Sequence, residues 1–348
     1  MSVPAWVWLV TIAAVAVMFV FDFYAHVRTP HEPSMREAAT WSIFYVVLAV
    51  VFGIGLLIVW GPTHGGEYFT GYVMEKSLSV DNLFVFLIIM SRFAVPRIYQ
   101  QKVLLVGVAI ALVLRGGFIW AGAEAIERFS WVFYVFGAFL IYTAVKLARE
   151  DHDSEAEAEF HENRLLRFVR RVLPSSPEYH GDRLTVVKDG RRLVTPMLIV
   201  MIAIGSTDVL FALDSIPAIY GITREAYIVF TTNAFALLGL RQLYFLLGGL
   251  LRRLVYLSEG LAVILGFIGV KLVLEALHLN ELPFVNGGEH VSWAPEIPIW
   301  LSMTVILGVL TVATVASLLA TRRSERAGGA EVAAGDDAPV AAPEDLTE

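Results

Sequence analysis

With 348 residues, 57% of them hydrophobic, and a mean hydropathy of +0.67, the chain carries too much apolar surface for a water-soluble domain. The formal net charge of −7 comes mostly from acidic loop ends and the tail and is uninformative by itself; nucleic acid is not among the partners expected. No cysteine is present, which excludes disulfides and thiolate ligands.

Apolar runs of the ~20 residues needed to cross ~30 Å of hydrocarbon recur along the chain. The first, at 4–23, has no Lys or Arg before Arg28. It lacks the basic flank of a cleavable signal and reads as a retained helix. Further spans are expected at 41–60, 67–91, 102–123 and 130–148, and then at 197–221, 226–248, 258–278 and 298–320. The reading is an all-α polytopic membrane protein of about nine transmembrane helices, with a transmembrane domain over 1–321.

The connection at 149–196 opens with acids from Glu150 to Glu162 and continues with RLLRFVRRVL at 164–173. That stretch is basic and amphipathic and suits the inner leaflet. LTVVKDGRRLV at 184–194 alternates around Asp189-Gly190 and predicts a hairpin. The tail at 322–348 is Ala, Gly, Pro and acid, and is expected to be disordered. Basic residues in the connections divide 19 to 2 between the two sides. Positive charge stays in the cytoplasm, which predicts an outside N-terminus and a cytoplasmic C-terminus.

Within the spans, EKSLSVDNLFVF at 75–86 and DVLFALDSIPAI at 208–219 share one pattern: an acid, five residues, a second acid, a small polar residue and an aliphatic. Leu114-Arg115 recurs as Leu240-Arg241, and Ala144-Val145-Lys146-Leu147 as Gly269-Val270-Lys271-Leu272. Spans 3–5 (67–148) therefore read as one repeat and spans 6–8 (197–278) as a copy of opposite topology. Such inverted repeats build alternating-access transporters, whose sites lie at the repeat interface near the midplane.

The four acids of the paired motifs are Glu75, Asp81, Asp208 and Asp214. An ionised carboxylate at mid-bilayer costs ~2.5–3.5 kcal/mol on insertion scales, so each needs a partner. One class of partner is a cation. Residues six apart on a regular helix lie ~9 Å apart along the axis, so one motif alone cannot chelate one small ion. Pro217 cannot donate to the Leu213 carbonyl and marks a candidate helix break beside Asp214. Asn82, Ser215 and Asn233 add neutral oxygens, together with Ser79, Ser206 and Thr207, and Asp22 is a candidate for an inner vestibule. All eight histidines lie in or beside loops. An oxygen-only ligand set suits hard cations such as Mn²⁺, Mg²⁺ or Ca²⁺.

The other class of partner is an intramembrane base. Lys76, Arg115 and Arg241 could turn the acids into ion-paired struts, while Lys146 and Lys271, near span ends, are expected to snorkel. Asp81 and Asp214 have no adjacent base.

The segments GYVMEKSLSVDNLFVF (71–86), STDVLFALDSIPAIYGIT (206–223), TTNAFALLGLRQLYFLLGG (231–249) and LAVILGFIGVKL (261–272) resemble the TerC family, bacterial integral membrane proteins named for association with tellurite resistance. The resemblance covers residues 5–320. It implies export of Mn²⁺ or a similar divalent cation at Glu75, Asp81, Asp208 and Asp214, with Asn233 nearby. It also implies a multi-pass protein of the bacterial inner membrane. Many members carry Glu three positions before the first acid of the second motif, where this chain has Gly205.

The leading expectation is a secondary transporter of Mn²⁺, exchanged for protons, with the ion as substrate, no cofactor, and no enzymatic reaction. The alternative is a non-transport membrane scaffold for stress-response partners. The surroundings expected are the lipid bilayer and a divalent metal ion; a homo-oligomer is compatible with the small residues Gly53 and Gly55.

Overall fold

The computed structural model describes residues 3–27, 31–129, 131–149, 176, 178–188, 191–247, 256–280, 282, 286, 289, 291 and 293–335. The amphipathic segment 164–173, the Asp189-Gly190 turn and residues 336–348 lie outside the described residues.

Helices account for nearly every expected span. They are α1 (Ala5–Asp22), extended by a π-helical turn over Phe23–Val27; α2 (Met35–Trp60); α3 (Pro62–Arg92); α4 (Arg97–Arg128); and α5 (Val132–Leu147). A hairpin of β1 (Thr185–Lys188) and β2 (Arg191–Val194) separates these from α6 (Pro196–Tyr220), α7 (Ala226–Leu237), α8 (Leu240–Leu247), α9 (Leu257–His278) and α10 (Ile299–Gly335). Local signals set several starts. Ser34 accepts the Glu37 amide at 3.2 Å ahead of α2, and Pro62 and Pro196 occupy the first helical position, where no amide donor is needed. Past Arg322, α10 continues through a stretch rich in the good helix formers Ala, Arg and Glu.

Among the described residues, six helices are long and apolar enough to cross a membrane, and Val132–Leu147 is a shorter apolar helix. Trp6, Leu9, Ile43, Ile58, Trp300 and Val312 project outward from α1, α2 and α10 and are exposed, as a lipid-facing surface requires. The expected seventh span is interrupted. Leu238 leaves the helix (φ −59°, ψ 126°) and Gly239 takes φ +82°, a conformation other residues rarely adopt. Pro217, by contrast, sits inside a continuous α6. It lies in the last turn, so its missing donor costs one hydrogen bond with almost no helix left to redirect. The break expected beside Asp214 is therefore at Leu238–Gly239 instead.

The antiparallel hairpin pairs Thr185 with Val194 and Lys188 with Arg191. Its flank is pinned to the ends of α3 and α4. Tyr179 donates to the Phe93 carbonyl at 2.7 Å, and Lys102 Nζ meets Asp182 Oδ2 at 2.7 Å. That hydrogen bond holds the Asp182 carboxyl below its ordinary range.

Helices α5 and α9 pack closely against each other. Ile141 faces Gly269, Ala144 faces Gly266 and Gly137 faces Val273, an antiparallel crossing over small residues. A Cβ on Gly137 would stand 2.8 Å from the Gly269 carbonyl oxygen and 3.1 Å from the Val273 amide nitrogen. Backbone cannot yield as a side chain does. Gly137→Ala is therefore expected to destabilise by about 1–3 kcal/mol, read as a lowered midpoint of thermal unfolding in detergent. An unchanged midpoint would mean that the helices do not pack this tightly.

Candidate functional site

Four helices converge on one guanidinium. Arg115, from α4, has a fully buried side chain, and so does Glu75; Asp208 is 1% exposed. Arg115 Nε donates to Asp208 Oδ2 at 2.7 Å and Nη2 to Asp208 Oδ1 at 3.1 Å, a two-pronged pairing. Its Nη1 donates to Glu75 Oε1 of α3, to Asn233 Oδ1 of α7 at 2.7 Å and to Ser215 Oγ of α6 at 3.2 Å. The Asn233 amide nitrogen donates to the Val229 carbonyl at 2.9 Å, which turns the amide oxygen toward the guanidinium. Asp208 and Ser215 are seven residues apart and share a face of α6; Glu75, Ser79 and Asn82 do the same on α3.

Glycines bring α4 and α6 close enough for this pairing. A Cβ on Gly107 would meet Ile204 Cγ2 at 2.6 Å, and one on Gly205 would meet Ile110 Cγ2 at 2.9 Å. Gly205, where the family resemblance expects Glu, is thus a packing position in this chain. Its missing side chain sets the helix spacing that lets Arg115 reach Asp208.

The other sequence candidates divide among separate places. Asp214 is half-buried and accepts a long 3.4 Å hydrogen bond from Thr143 of α5, away from the guanidinium. Asp81 lies on α3, but its side chain is outside what the structure describes. Asn82 is buried. Lys76 donates to the Ala236 carbonyl at 3.0 Å, in the last turn of α7. Positive charge at a helix C-terminus is favourable, and here it caps a helix that ends inside the molecule. Lys146 is exposed, whereas Lys271 is 8% exposed and donates to Ser302 Oγ at 3.2 Å. Helix α10 covers Lys271, so it does not snorkel.

Arg241 is not an equivalent of Arg115. Its Nη2 meets Asp22 Oδ1 at 2.7 Å and its Nη1 meets Gln101 Oε1 at 2.6 Å. Gln242 also reaches Asp22, at 3.4 Å, and Gln101 holds the His31 carbonyl at 2.9 Å. This second buried network ties together the ends of α1 and α4 with α8. Gln101 and Gln242 were not singled out by sequence, because polar amides near span ends carry no motif. Thr143 was missed because a single hydroxyl inside an apolar run carries no motif either.

Among the described residues no group of three or more acidic or histidine side chains is arranged to hold a metal ion. The oxygen set does have vacant capacity. Glu75 Oε2 and Ser79 Oγ are buried and have no hydrogen-bond partner. Two carboxyl groups share the one guanidinium.

Comparison with known proteins agrees with this architecture. An uncharacterized membrane protein of Mycobacterium tuberculosis (strain H37Rv) is 50% identical over 323 residues, covering 92% of this chain and 81% of the relative. A Myxococcus xanthus uncharacterized membrane protein is 41% identical over 319 residues, covering 91% and 93%. A candidate membrane-bound redox modulator, Alx, of Escherichia coli K12 is 36% identical over 324 residues, covering 90% and 95%. No solved structure matches the chain. The profile of the integral membrane protein TerC family matches residues 60–325, and with that match the chain belongs to the TerC family of multi-pass integral membrane proteins.

Proposed function

We propose that the chain is a carrier, not an enzyme, that exports Mn²⁺ or a similarly hard divalent cation through the buried carboxylate cluster, with protons as the exchanged ion. In this reading nine segments cross the bacterial plasma membrane, the seventh as the interrupted pair α7–α8. The N-terminus is outside and the C-terminus in the cytoplasm, following the loop charges. Segments α3–α5 and α6–α9 are two halves of an inverted repeat. The register that places Ala144 on Gly269 exchanges the contacts Ile141–Gly269 and Ala144–Gly266 with each other, as a pseudo-twofold between α5 and α9 requires. The contact of α3 with α7 likewise corresponds to that of α6 with α4. A helix interrupted at membrane depth beside the polar cluster is a common feature of such carriers.

One observation carries the reading: the orphaned oxygens of Glu75 and Ser79, a turn apart on the face of α3 that meets Arg115. Buried polar atoms are seldom left without a partner, and a strut saturated by its arginine needs no spare oxygens. An all-oxygen shell with two carboxyl groups favours a hard divalent ion. The redox-modulator name of the Escherichia coli relative cannot act here through thiols, since the chain has no cysteine.

The test is total cell Mn by elemental analysis after a Mn²⁺ load, in a manganese-sensitive strain making the unmodified chain, Glu75→Gln or Ser79→Ala. The unmodified chain is expected to lower cell Mn and Glu75→Gln to leave it unchanged. Ser79→Ala is expected to weaken apparent affinity roughly tenfold, the loss of one neutral oxygen contact of about 1–1.5 kcal/mol. If both variants export as well as the unmodified chain at equal membrane abundance, these oxygens are not ligands.

A further inference from the structure

We infer that Arg115 is a tethered counter-cation: it fills the transport site when no metal is there, and it must withdraw from the oxygen shell before a divalent cation enters. The inference rests on the cation-export reading above and adds what resets the carrier.

The argument starts from what surrounds the guanidinium. Both oxygens of Asp208, one of Glu75, the amide oxygen of Asn233 and the hydroxyl of Ser215 all point at Arg115. Two carboxylates, an amide and a hydroxyl drawn from three helices are the components of a hard-cation shell. They are closed around a cation that is covalently part of α4 and does not lose its charge in proteins. The fully buried guanidinium and an arriving metal ion cannot share that shell, because like charges repel strongly away from water. The oxygens Glu75 Oε2 and Ser79 Oγ, which Arg115 does not use, give the metal a first foothold. The ion can engage them before the guanidinium lets go.

Two consequences follow. Bare carboxylates at membrane depth are costly, so an emptied carrier is difficult to return across the membrane unless something neutralises them. Arg115 neutralises one of the two carboxylates and the exchanged proton the other, and Arg115 is therefore required for net export. It is not required when one metal ion simply replaces another, since the shell is then never empty. The second consequence is selectivity. A monovalent ion brings no more charge than the guanidinium it must displace, whereas a divalent ion brings twice as much. Arg115 thereby favours divalent over monovalent cations without touching either.

The experiment uses the full-length protein, purified and reconstituted in proteoliposomes. Two rates are read: net efflux of trapped Mn²⁺ into Mn-free buffer, and exchange of radiolabelled Mn²⁺ against unlabelled Mn²⁺ outside. The unmodified chain is expected to do both. Arg115→Gln is expected to lose net efflux by about tenfold or more while keeping exchange, and Arg115→Lys, which keeps the charge, to recover net efflux. Because Arg115→Gln strips a partner from two buried acids, thermal unfolding with and without millimolar Mn²⁺ is measured alongside. With its competitor gone, the metal should raise the midpoint of Arg115→Gln further than that of the unmodified chain. Unchanged net efflux in Arg115→Gln overturns the inference. So do loss of both rates in a folded variant, failure of Arg115→Lys to recover net efflux, and a metal-induced shift no larger than in the unmodified chain. If the unmodified chain neither exports nor exchanges any divalent cation, the transport reading itself falls, and this inference with it.

Discussion

Arg115→Met is expected to destabilise the protein by about 3–5 kcal/mol, the usual result of removing one partner from a buried ion pair. The mechanism is electrostatic. Glu75 and Asp208 are buried side chains from different helices that share this one guanidinium, and each would be left ionised and unpaired or forced to take up a proton. Asn233 and Ser215 would lose the same donor. The change is measurable as a lowered unfolding midpoint in detergent and as reduced abundance in the membrane. A triple variant, Arg115→Met with Glu75→Gln and Asp208→Asn, should regain most of the loss, since removing all the charges together leaves none uncompensated. If Arg115→Met unfolds within about 1 kcal/mol of the unmodified protein, the size of a solvent-exposed pair, water reaches the cluster and the pairing is not the buried one described above.

Asp208→Asn should have a different profile: a smaller loss of stability and a collapse of transport. The remaining Glu75 and Arg115 form a neutral pair; the Asn oxygen still accepts one of the two guanidinium N–H groups that Asp208 takes, while its NH2 leaves the other without an acceptor, at a cost of about 1–3 kcal/mol. A metal ion, however, would meet one carboxylate where it needs two. Truncating one partner of a buried, hydrogen-bonded charge contact costs about 2–5 kcal/mol, so apparent Mn²⁺ affinity should fall by roughly thirtyfold or more. Asp214→Asn is the internal control. Asp214 is half-buried, accepts the 3.4 Å hydrogen bond from Thr143, and does not reach the guanidinium, so its loss should weaken export less. Proteoliposome uptake measured beside the unfolding midpoint separates the two effects. Should Asp208→Asn transport at the unmodified rate, Asp208 is a strut that anchors α4 to α6 and not a ligand.

The parts of this protein legible in its sequence are those governed by local composition. A run of some twenty apolar residues is a property of adjacent positions, so most helices appeared where hydropathy placed them, the interrupted seventh span excepted, and Asp189-Gly190 between alternating residues marked the hairpin. Glu75, Asp208, Arg115 and Asn233 could be singled out because ionised or amide groups within apolar runs require compensation wherever the fold puts them. Ser79 was visible only as one of several neutral oxygens.

The tertiary structure decided which charge meets which. Arg115 and Arg241 stand in the same Leu-Arg motif, yet one gathers Glu75 and Asp208 while the other holds Asp22. Pairing across 93 residues depends on the rotation and depth of whole helices, which no local pattern encodes. The same holds for Gly205, whose role is the close approach of Ile110 from α4, and for Lys271, buried because α10 happens to cover it. It also holds for the break at Leu238–Gly239. Proline announces a lost hydrogen bond from sequence alone, but where a helix actually stops depends on what receives its freed carbonyls. Here that receiver is Lys76, 160 residues away on α3. Sequence fixes what each segment must bury or neutralise; only the packing of helices against one another selects the partner.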